Sequence, residues 1–300
     1  MMKKLFIGLI LLTTITGYTQ LPSVSSGTVV RFENFASAFV NPRNVDVWLP
    51  ADFKKEKNYA VLYMHDGQML YDAAQTWNGQ EWKVDETMSR LLKEGRIRDC
   101  IVVGIWNDGE YRRSDYLPQK ALGYLPDELA DSITRNVLMG ALRSDAYLSF
   151  LVYELKPFID SSFSTLTGRE NTFVMGSSMG GLVSMYAICE YPEVFGGAAC
   201  LSTHWYGTPV SWNIKVPEAY LKYLSTHLPD PATHRIYFDH GTETLDRYYG
   251  PFQRQADSLM EAAGYDASNW MTRTFLGKAH TEDAWAERLE IPLVFLLGSE

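Results

Sequence analysis

The stretch FVMGSSMGGLVSMY, residues 173–186, joins an apolar run to a helical pattern through two adjacent serines, with three glycines around the junction. The run before the serines is typical of a buried strand, and the apolar spacing after them predicts a helix. Between them, Gly176-Ser177-Ser178-Met179-Gly180 has the form G-x-S-x-G, which predicts a sharp turn with Ser178 in a strained conformation at its tip. The stretch therefore predicts a strand, a turn and a helix, with the Ser178 hydroxyl projecting above a sheet.

The same alternation of strands and helices extends along the chain in both directions. Apolar runs predict strands at 27–32, 44–50, 59–67, 100–107, 171–177, 196–204 and 234–242, and a last strand with its loop at 270–280. Helical spacing predicts helices at 80–95, 146–163, 179–192, 249–264 and 284–297. Segments 108–146 and 205–232 do not fit this repeat, and both follow strand ends, where open α/β sheets bind ligands. The pattern predicts an α/β fold with a mostly parallel central sheet of about eight strands, helices on both faces, and one or two antiparallel strands at the start.

The first 19 residues have the features of an export signal. Lys3 and Lys4 precede an apolar run at residues 5–12 that is too short to span a bilayer, which needs about 20 residues. We therefore expect cleavage just before Gln20, a secreted or periplasmic product without a stable membrane anchor, and a single domain over residues 20–300.

The composition argues against a nucleic-acid partner. Without residues 1–19, the 27 Lys and Arg residues fall by two to 25 against 36 Asp and Glu, so the net charge is −11. A chain this acidic repels phosphate backbones. Cys100, Cys189 and Cys200 lie in apolar surroundings, which predicts buried free thiols rather than a disulfide framework or a metal site.

A serine hydroxyl becomes an effective nucleophile only when a base takes its proton. In the strand–turn–helix scaffold with a G-x-S-x-G turn, the acid and then the histidine follow the serine along the chain, which excludes His65. His280, in FLGKAHTEDAW after the last predicted strand, is the predicted base. The other downstream histidines lie at strand ends or near the irregular segment: His204, His227, His234 and His240.

The acid that orients the imidazole is expected in the loop GTETLDRYYG, residues 241–250. Asp246 is the predicted acid and Glu243 the alternative, because Asp239 still lies within the strand.

Two backbone N–H groups are predicted to bind an oxyanion. One is that of Met179, directly after the serine, and the other is that of Gln68, which follows Gly67 after a buried strand. His65 and Asp66 are predicted to brace this second loop. Trp106 is near the end of a predicted strand, and Arg112 and Trp205 lie beyond strand ends. All three are predicted to line a substrate site for an acidic or sugar-bearing ester.

The motifs MHDGQ, VVGIWN, GSSMGGL, YPEVFGGAACLS, GTETLD and GKAHTEDAW together resemble the esterase family that includes esterase D and the enterochelin esterase-like enzymes. The resemblance spans residues 40–297. It implies an α/β-hydrolase fold and hydrolysis of carboxylic esters without a metal or organic cofactor. It places the nucleophile on Ser178, the histidine on His280 and the second oxyanion donor on Gln68. Many relatives have the acid where this chain has Thr244, so Asp246 and Glu243 both stay open.

Three functions are compatible with these residues. The first is an exported serine esterase that acts through an acyl-enzyme on carbohydrate-linked acyl or feruloyl esters, or on siderophore esters. The second is an acyltransferase in which a sugar or lipid alcohol replaces water. The third is a non-catalytic binding module on the same fold.

Overall fold

A single central sheet organises the molecule. The computed structural model describes residues 20–209 and 213–298, so the predicted export signal at residues 1–19 lies outside the described residues. Within these ranges, no helix combines the length and the apolar character needed to cross a membrane.

The sheet has eight strands in the order β1-β2-β4-β3-β5-β6-β7-β8. The strands are β1 (Thr28–Phe35), β2 (Arg43–Leu49), β3 (Ala60–His65), β4 (Cys100–Ile105), β5 (Thr172–Ser177), β6 (Gly197–Leu201), β7 (Arg235–Gly241) and β8 (Trp270–Phe275). β2 is antiparallel to both β1 and β4, and all other neighbours are parallel. The prediction of a mostly parallel eight-stranded sheet with antiparallel strands at its start is confirmed.

Helices cover both faces of this sheet. They are α1 (Val84–Lys93), α2 (Arg112–Tyr116), α3 (Asp127–Asn136), α4 (Ser144–Ser149), α5 (Lys156–Ser162), α6 (Met179–Glu190), α7 (Lys215–His227), α8 (Gly250–Ala262), α9 (Glu282–Ala286) and α10 (Glu290–Leu297). Side chains of a strand alternate between faces, so Val61 and Tyr63 of β3 enter one core and Leu62 and Met64 enter the other. Both cores are apolar, which is why the inner strands are almost continuously hydrophobic.

Two predicted helices are interrupted. The helix predicted over 146–163 contains a π-helical segment, Phe150–Leu155, between α4 and α5. The helix predicted over 284–297 divides into α9 and α10. Pro292 lies in the first turn of α10, and its ring would clash with the carbonyl of Arg288 in a continuous helix, so the chain restarts a helix there.

The parallel strands bring several loops to one edge of the sheet. The loops after β3, β5, β6, β7 and β8 all leave from carboxyl ends, and these ends lie side by side because the five strands are neighbours. Open α/β sheets bind ligands at this edge. The predicted site residues after these strands are therefore close to one another.

Candidate active site

Ser178 occupies the strained turn between β5 and α6. Its backbone has φ 58° and ψ −122°, a conformation that an L-residue rarely adopts and that costs on the order of 1–3 kcal/mol. Three hydrogen bonds hold it: its N–H donates to Leu201 O at 2.9 Å, and its carbonyl accepts from Leu182 N and His204 N, each at 3.1 Å. The surrounding backbone therefore enforces the turn that the G-x-S-x-G motif predicts.

The glycines around Ser178 are required by close backbone contacts. A Cβ at Gly176 would lie 2.7 Å from the carbonyl carbon of Gly180, and one at Gly181 would lie 3.0 Å from Leu201 O. A Cβ at Gly180 would lie 3.3 Å from both His65 Cβ and Asp66 Oδ2, so the turn packs directly on the loop after β3. The small residues let three chain segments meet at one point.

Two backbone N–H groups are available where these segments meet. Met179 is the first residue of α6, and the first N–H groups of a helix have no acceptor within the helix. Gln68 belongs to a short 3-10 helix, Gly67–Met69, which presses against β4 because a Cβ at Gly67 would lie 2.5 Å from the carbonyl carbon of Gly104. The predicted oxyanion donors thus lie on adjacent loops at the carboxyl ends of β3 and β5.

The imidazole of His280 contacts the carboxylate of Asp246. Nδ1 lies 2.5 Å from Asp246 Oδ1, and Asp246 is 1% exposed. Burial disfavours the charged carboxylate, but hydrogen bonds from His280, Ser202 and the N–H of Gly241 outweigh it and hold the pKa of Asp246 below its usual value. An ionised carboxylate only accepts hydrogen bonds, so the neutral form of this imidazole carries its proton on Nδ1 and its lone pair on Nε2.

The loops that carry these two residues are joined by hydrogen bonds. The N–H groups of Thr242 and Glu243 donate to Lys278 O at 3.0 Å, and the N–H of His280 donates to Thr244 Oγ1 at 2.8 Å. Glu243, the alternative acid, has an exposed side chain, and no described hydrogen bond joins it to His280. The geometry brings Asp246, rather than Glu243, to the imidazole.

A buried network behind Asp246 was missed by the sequence reasoning. Ser202 Oγ donates to Asp246 Oδ2 at 2.6 Å and accepts from Trp285 Nε1 and Arg288 Nη2, each at 2.9 Å. Arg288 also donates to both carboxylate oxygens of Asp239, at 3.0 and 2.9 Å. A signal existed, because an acid within the apolar strand RIYFDHG needs a buried partner.

His65 and Asp66 are bound into the loop after β3. Asp66 accepts two hydrogen bonds from Arg112, both at 2.7 Å, and one from Asn107 Nδ2 at 2.8 Å. His65 Nδ1 lies 2.8 Å from Tyr147 Oη, and burial lowers the pKa of His65 to about 3, so the ring is neutral. These contacts agree with a bracing role.

The Ser178 turn opens into a cavity of about 630 Å³. Ser178 and His280 both line it, although Asp246 lies behind it. The other lining residues are Asp66, Gln68, Met69, Trp77, Asn78, Gln80, Trp82, Asn107, Gly109, Arg112, Ser177, Thr281, Glu282 and Trp285. The rings of Trp285 and Tyr249 meet that of His280 edge-on, at centroid distances of 5.0 and 5.8 Å.

Of the three predicted substrate-binding residues, the structure brings only Arg112 to the cavity. The prediction for Trp205 is wrong, because its side chain is fully buried in the core and donates to Gln253 Oε1 at 3.2 Å. Trp106 also lies outside the lining: its N–H donates to Asp46 Oδ2 at 2.8 Å, and the guanidinium of Arg31 lies 4.7 Å above its ring. The indole rings of Trp205 and Trp106 are thus both engaged in contacts within the protein rather than facing the cavity.

The remaining histidines near this edge of the sheet are engaged elsewhere. His204 lies between Tyr249 Oη at 2.6 Å and Thr208 O at 3.0 Å, and burial lowers its pKa to about 3. His240 Nδ1 lies 2.6 Å from Gly241 O. Among the described residues, no group of three or more His, Cys, Asp or Glu is arranged to hold a metal ion.

The sheet order, the serine turn and the loops at the carboxyl edge define an α/β-hydrolase fold. A family profile described as "Putative esterase" matches residues 36–289, so the chain belongs to this esterase family and is a carboxylic ester hydrolase.

Individual similar proteins share only about a quarter or less of their residues with this chain. The protein YbbA of Bacillus subtilis (strain 168) is 25% identical over 266 residues, which are 85% of this chain and 93% of YbbA. A solved ferulic acid esterase is similar with a TM-score of 0.66 and 19% identity, covering 91% of this chain and 98% of its own. The enterobactin esterase FES from Shigella flexneri has a TM-score of 0.65 and 18% identity, covering 92% of this chain and 60% of its own. The two structural likenesses show the shared fold.

Proposed function

We propose that this protein is an exported serine esterase whose catalytic triad is Ser178, His280 and Asp246. One observation carries the proposal: the imidazole that lines the Ser178 cavity is bound, through Nδ1, to a buried ionised carboxylate. This pairing leaves Nε2 as the proton acceptor for a serine hydroxyl.

The reaction follows from these groups. As Ser178 Oγ bonds to the ester carbonyl carbon, its proton passes to Nε2 of His280, and the N–H groups of Met179 and Gln68 stabilise the oxyanion. The protonated His280 then donates to the leaving alkoxide, the C–O bond breaks, and an acyl-Ser178 ester and a free alcohol result. Water enters, His280 takes one of its protons, and the same steps in reverse release the carboxylic acid.

The nucleophile is tested by Ser178→Ala. We expect hydrolysis of p-nitrophenyl acetate to fall by at least about 10³-fold, since the acyl-enzyme cannot form. A fluorophosphonate probe is expected to label the wild-type protein and not the variant. Activity at the wild-type rate in Ser178→Ala would refute the proposal.

The acid is tested by a matched pair of amide variants. Asp246→Asn removes the charge that holds the Nδ1 tautomer, so kcat is expected to fall by about 10³- to 10⁴-fold. Glu243→Gln changes an exposed carboxylate three positions before Asp246 in the same loop, and is expected to keep kcat within about twofold. The opposite result would transfer the role to Glu243.

The substrate class rests on the family and on the names of similar proteins, a ferulic acid esterase and an enterobactin esterase. We propose carbohydrate-linked acyl or feruloyl esters, or siderophore esters. Hydrolysis rates on a panel of feruloyl, acetyl-xylan and catecholate-siderophore esters distinguish between these substrate classes. Product analysis with added alcohols separates hydrolysis from acyl transfer, and ester products as the main species would favour a transferase.

Export is proposed from residues 1–19. Expression of the full chain in a bacterial host, followed by fractionation and N-terminal sequencing, is expected to yield a processed protein that begins at Gln20. Recovery of uncleaved chain in the cytoplasm would contradict this part of the proposal.

A further inference from the structure

Two groups of mutually bonded residues contribute to the lining of the cavity. The first group is the ion-paired cluster of Asp66, Asn107 and Arg112. The second joins residues 77–82 to residues 280–285: Asn78 Nδ2 donates to Glu282 Oε2 at 2.8 Å, and the rings of Trp82 and Trp285 lie 5.4 Å apart. The second group begins at His280 itself, so it forms the His280 side of the cavity.

Trp77 differs from the other tryptophans of this side. Trp82 and Trp285 are 3% and 4% exposed, whereas Trp77 is 83% exposed although it lines the cavity. A tryptophan left in water at the mouth of a cavity gives up the stabilisation that burial of its ring would bring. Its flat face is available to a ligand.

The mechanism fixes which part of an ester this side meets. His280 donates its proton to the leaving alkoxide, so the alcohol component must lie next to His280. Asn78 follows Trp77 in the chain and is bonded to Glu282, two residues beyond His280. Trp77, Asn78, Gln80 and Glu282 therefore lie where the alcohol component binds, and we call them the Trp77 subsite.

The charges along the cavity select against an anionic alcohol component. Among the described residues, two carboxylates, those of Asp66 and Glu282, line the cavity together with one guanidinium, that of Arg112. Asp66 already binds Arg112 through both oxygens. Glu282 has no ion pair with a Lys or Arg in residues 20–209 and 213–298, although its charge and that of Arg112 attract each other across the cavity. Two carboxylates facing one guanidinium leave the cavity with an excess of negative charge.

We propose that the Trp77 subsite binds a neutral sugar ring as the alcohol component of the ester. The apolar face of the ring stacks on Trp77, while the amides of Asn78 and Gln80 and the carboxylate of Glu282 bind its hydroxyl groups. This proposal rests on the serine esterase function proposed above. It selects sugar-borne esters over siderophore esters, whose catecholate groups carry negative charge when they hold a metal.

The test compares two esters with one acyl group and different alcohols, acetylated methyl β-xyloside and p-nitrophenyl acetate. The measured quantity is the ratio of kcat/KM for the sugar ester to that for the aryl ester. Trp77→Ala is expected to lower this ratio about tenfold, and Trp77→Phe, which keeps a flat ring, to lower it less. Tyr153→Ala, which removes another exposed aromatic (61%) outside the cavity, is the control and leaves the ratio unchanged. A ratio within twofold of wild type in Trp77→Ala would overturn the proposal.

A second arm tests the charge. At low ionic strength we expect the wild-type protein to hydrolyse acetylated methyl β-xyloside at least about tenfold faster than an acetylated methyl glycoside of a uronic acid, whose carboxylate is free. Glu282→Gln is expected to reduce this difference between the two rates. An equal or better rate on the anionic ester in the wild type would contradict the subsite.

A binding measurement separates the failure of this proposal from the failure of the esterase function. Ser178→Ala is titrated with acetylated methyl β-xyloside by calorimetry, beside a Ser178→Ala, Trp77→Ala double variant. Binding that the double variant loses supports the subsite even if the wild type hydrolyses no ester. Absence of binding to Ser178→Ala overturns the subsite even if p-nitrophenyl acetate is hydrolysed.

Discussion

Ser202 is a residue whose role follows from counting protons. Its hydroxyl has one proton, and both Trp285 Nε1 and Arg288 Nη2 can only donate, so that proton is directed to Asp246. Arg288 thus donates to the Ser202 hydroxyl, which in turn donates to Asp246, so Ser202 links the guanidinium to the carboxylate. We regard Ser202 as a positioning residue that keeps Asp246 ionised and in contact with His280.

The variant Ser202→Gly tests this role. Glycine tolerates the φ of 43° found at Ser202 and removes the CH2OH group, including the hydroxyl that donates to Asp246, so the pKa of Asp246 is expected to rise. We expect kcat to fall about tenfold, since a hydrogen bond to a charged group contributes about 1.5–3 kcal/mol. The loss is expected to grow as the pH falls from 7 to 5, because a carboxylate with a raised pKa protonates earlier.

The control for this variant is Ser114→Ala. Ser114 is equally buried and donates to Leu138 O at 2.8 Å, away from the cavity. We expect it to lose stability without a change in the pH profile of kcat. A pH profile of Ser202→Gly that superimposes on that of the wild type would show a merely structural hydroxyl.

At the scale of elements, β5 and α6 meet in a close contact between backbone atoms. Gly176 faces the backbone of Gly180, which cannot move aside as a flexible side chain could. The same junction contacts the loop after β3 through Gly180, so the proposed nucleophile and the proposed oxyanion loop share one packing arrangement.

Gly176→Ala is expected to destabilise the protein by about 1–3 kcal/mol, because the added methyl group overlaps fixed backbone atoms. Urea denaturation followed by circular dichroism measures this change. The matched variant is Gly123→Ala, where nothing lies within 4 Å of an added Cβ, and its stability is expected to stay within about 0.5 kcal/mol of wild type. Equal stability of the two variants would rule out the packing argument.

Elements also show where sequence patterns succeed and where they fail. The strands were predictable because their apolar runs are nearly unbroken. Helix α7 lies in the segment 205–232, for which no helix was predicted because Pro217 suggests a break. In the structure Pro217 lies in the first turn of α7, where a proline is tolerated. The burial of Trp205 depends on its packing with Phe238 of β7, a strand distant in sequence.

The predicted site shows the same division. Chain order was enough to predict that Ser178, Asp246 and His280 follow neighbouring strands. Which of Glu243 and Asp246 lies beside His280 depends on the backbone, because Thr244 has φ 49° and starts a 3-10 turn that directs Asp246 inward. The contacts of Ser202 with Trp285 and Arg288 join loops that no sequence spacing relates.

At the scale of the whole molecule, buried neutral histidines link folding to pH. The pKa values of His65 and His204 are each lowered by burial to about 3, against about 6.5 in an unfolded chain. Between these values the unfolded state binds more protons than the folded state. Their contribution to stability is therefore complete above pH 6.5 and is lost as the pH falls from 6.5 towards 3.

We expect the free energy of unfolding, measured by urea denaturation, to decrease between pH 7 and pH 4.5 by up to about 1.4 kcal/mol per pH unit for each of these histidines. His65→Gln and His204→Gln are expected to flatten this dependence. His227→Gln, at a less buried position on α7, serves as the control and keeps the wild-type slope. A slope that both core variants leave unchanged would contradict the assignment.

The hydrogen bonds that Trp285 and Arg288 donate to Ser202 have a consequence for biosynthesis. Ribosomes make a chain from its amino end, so Ser178, Asp246 and His280 are all synthesised before the side chains that fasten the acid. A nascent polypeptide that ends just after His280 still lacks Trp285 and Arg288 and therefore their hydrogen bonds to Ser202. If the proposed triad is correct, we therefore expect full esterase activity only after the segment beyond His280 has folded back on the sheet.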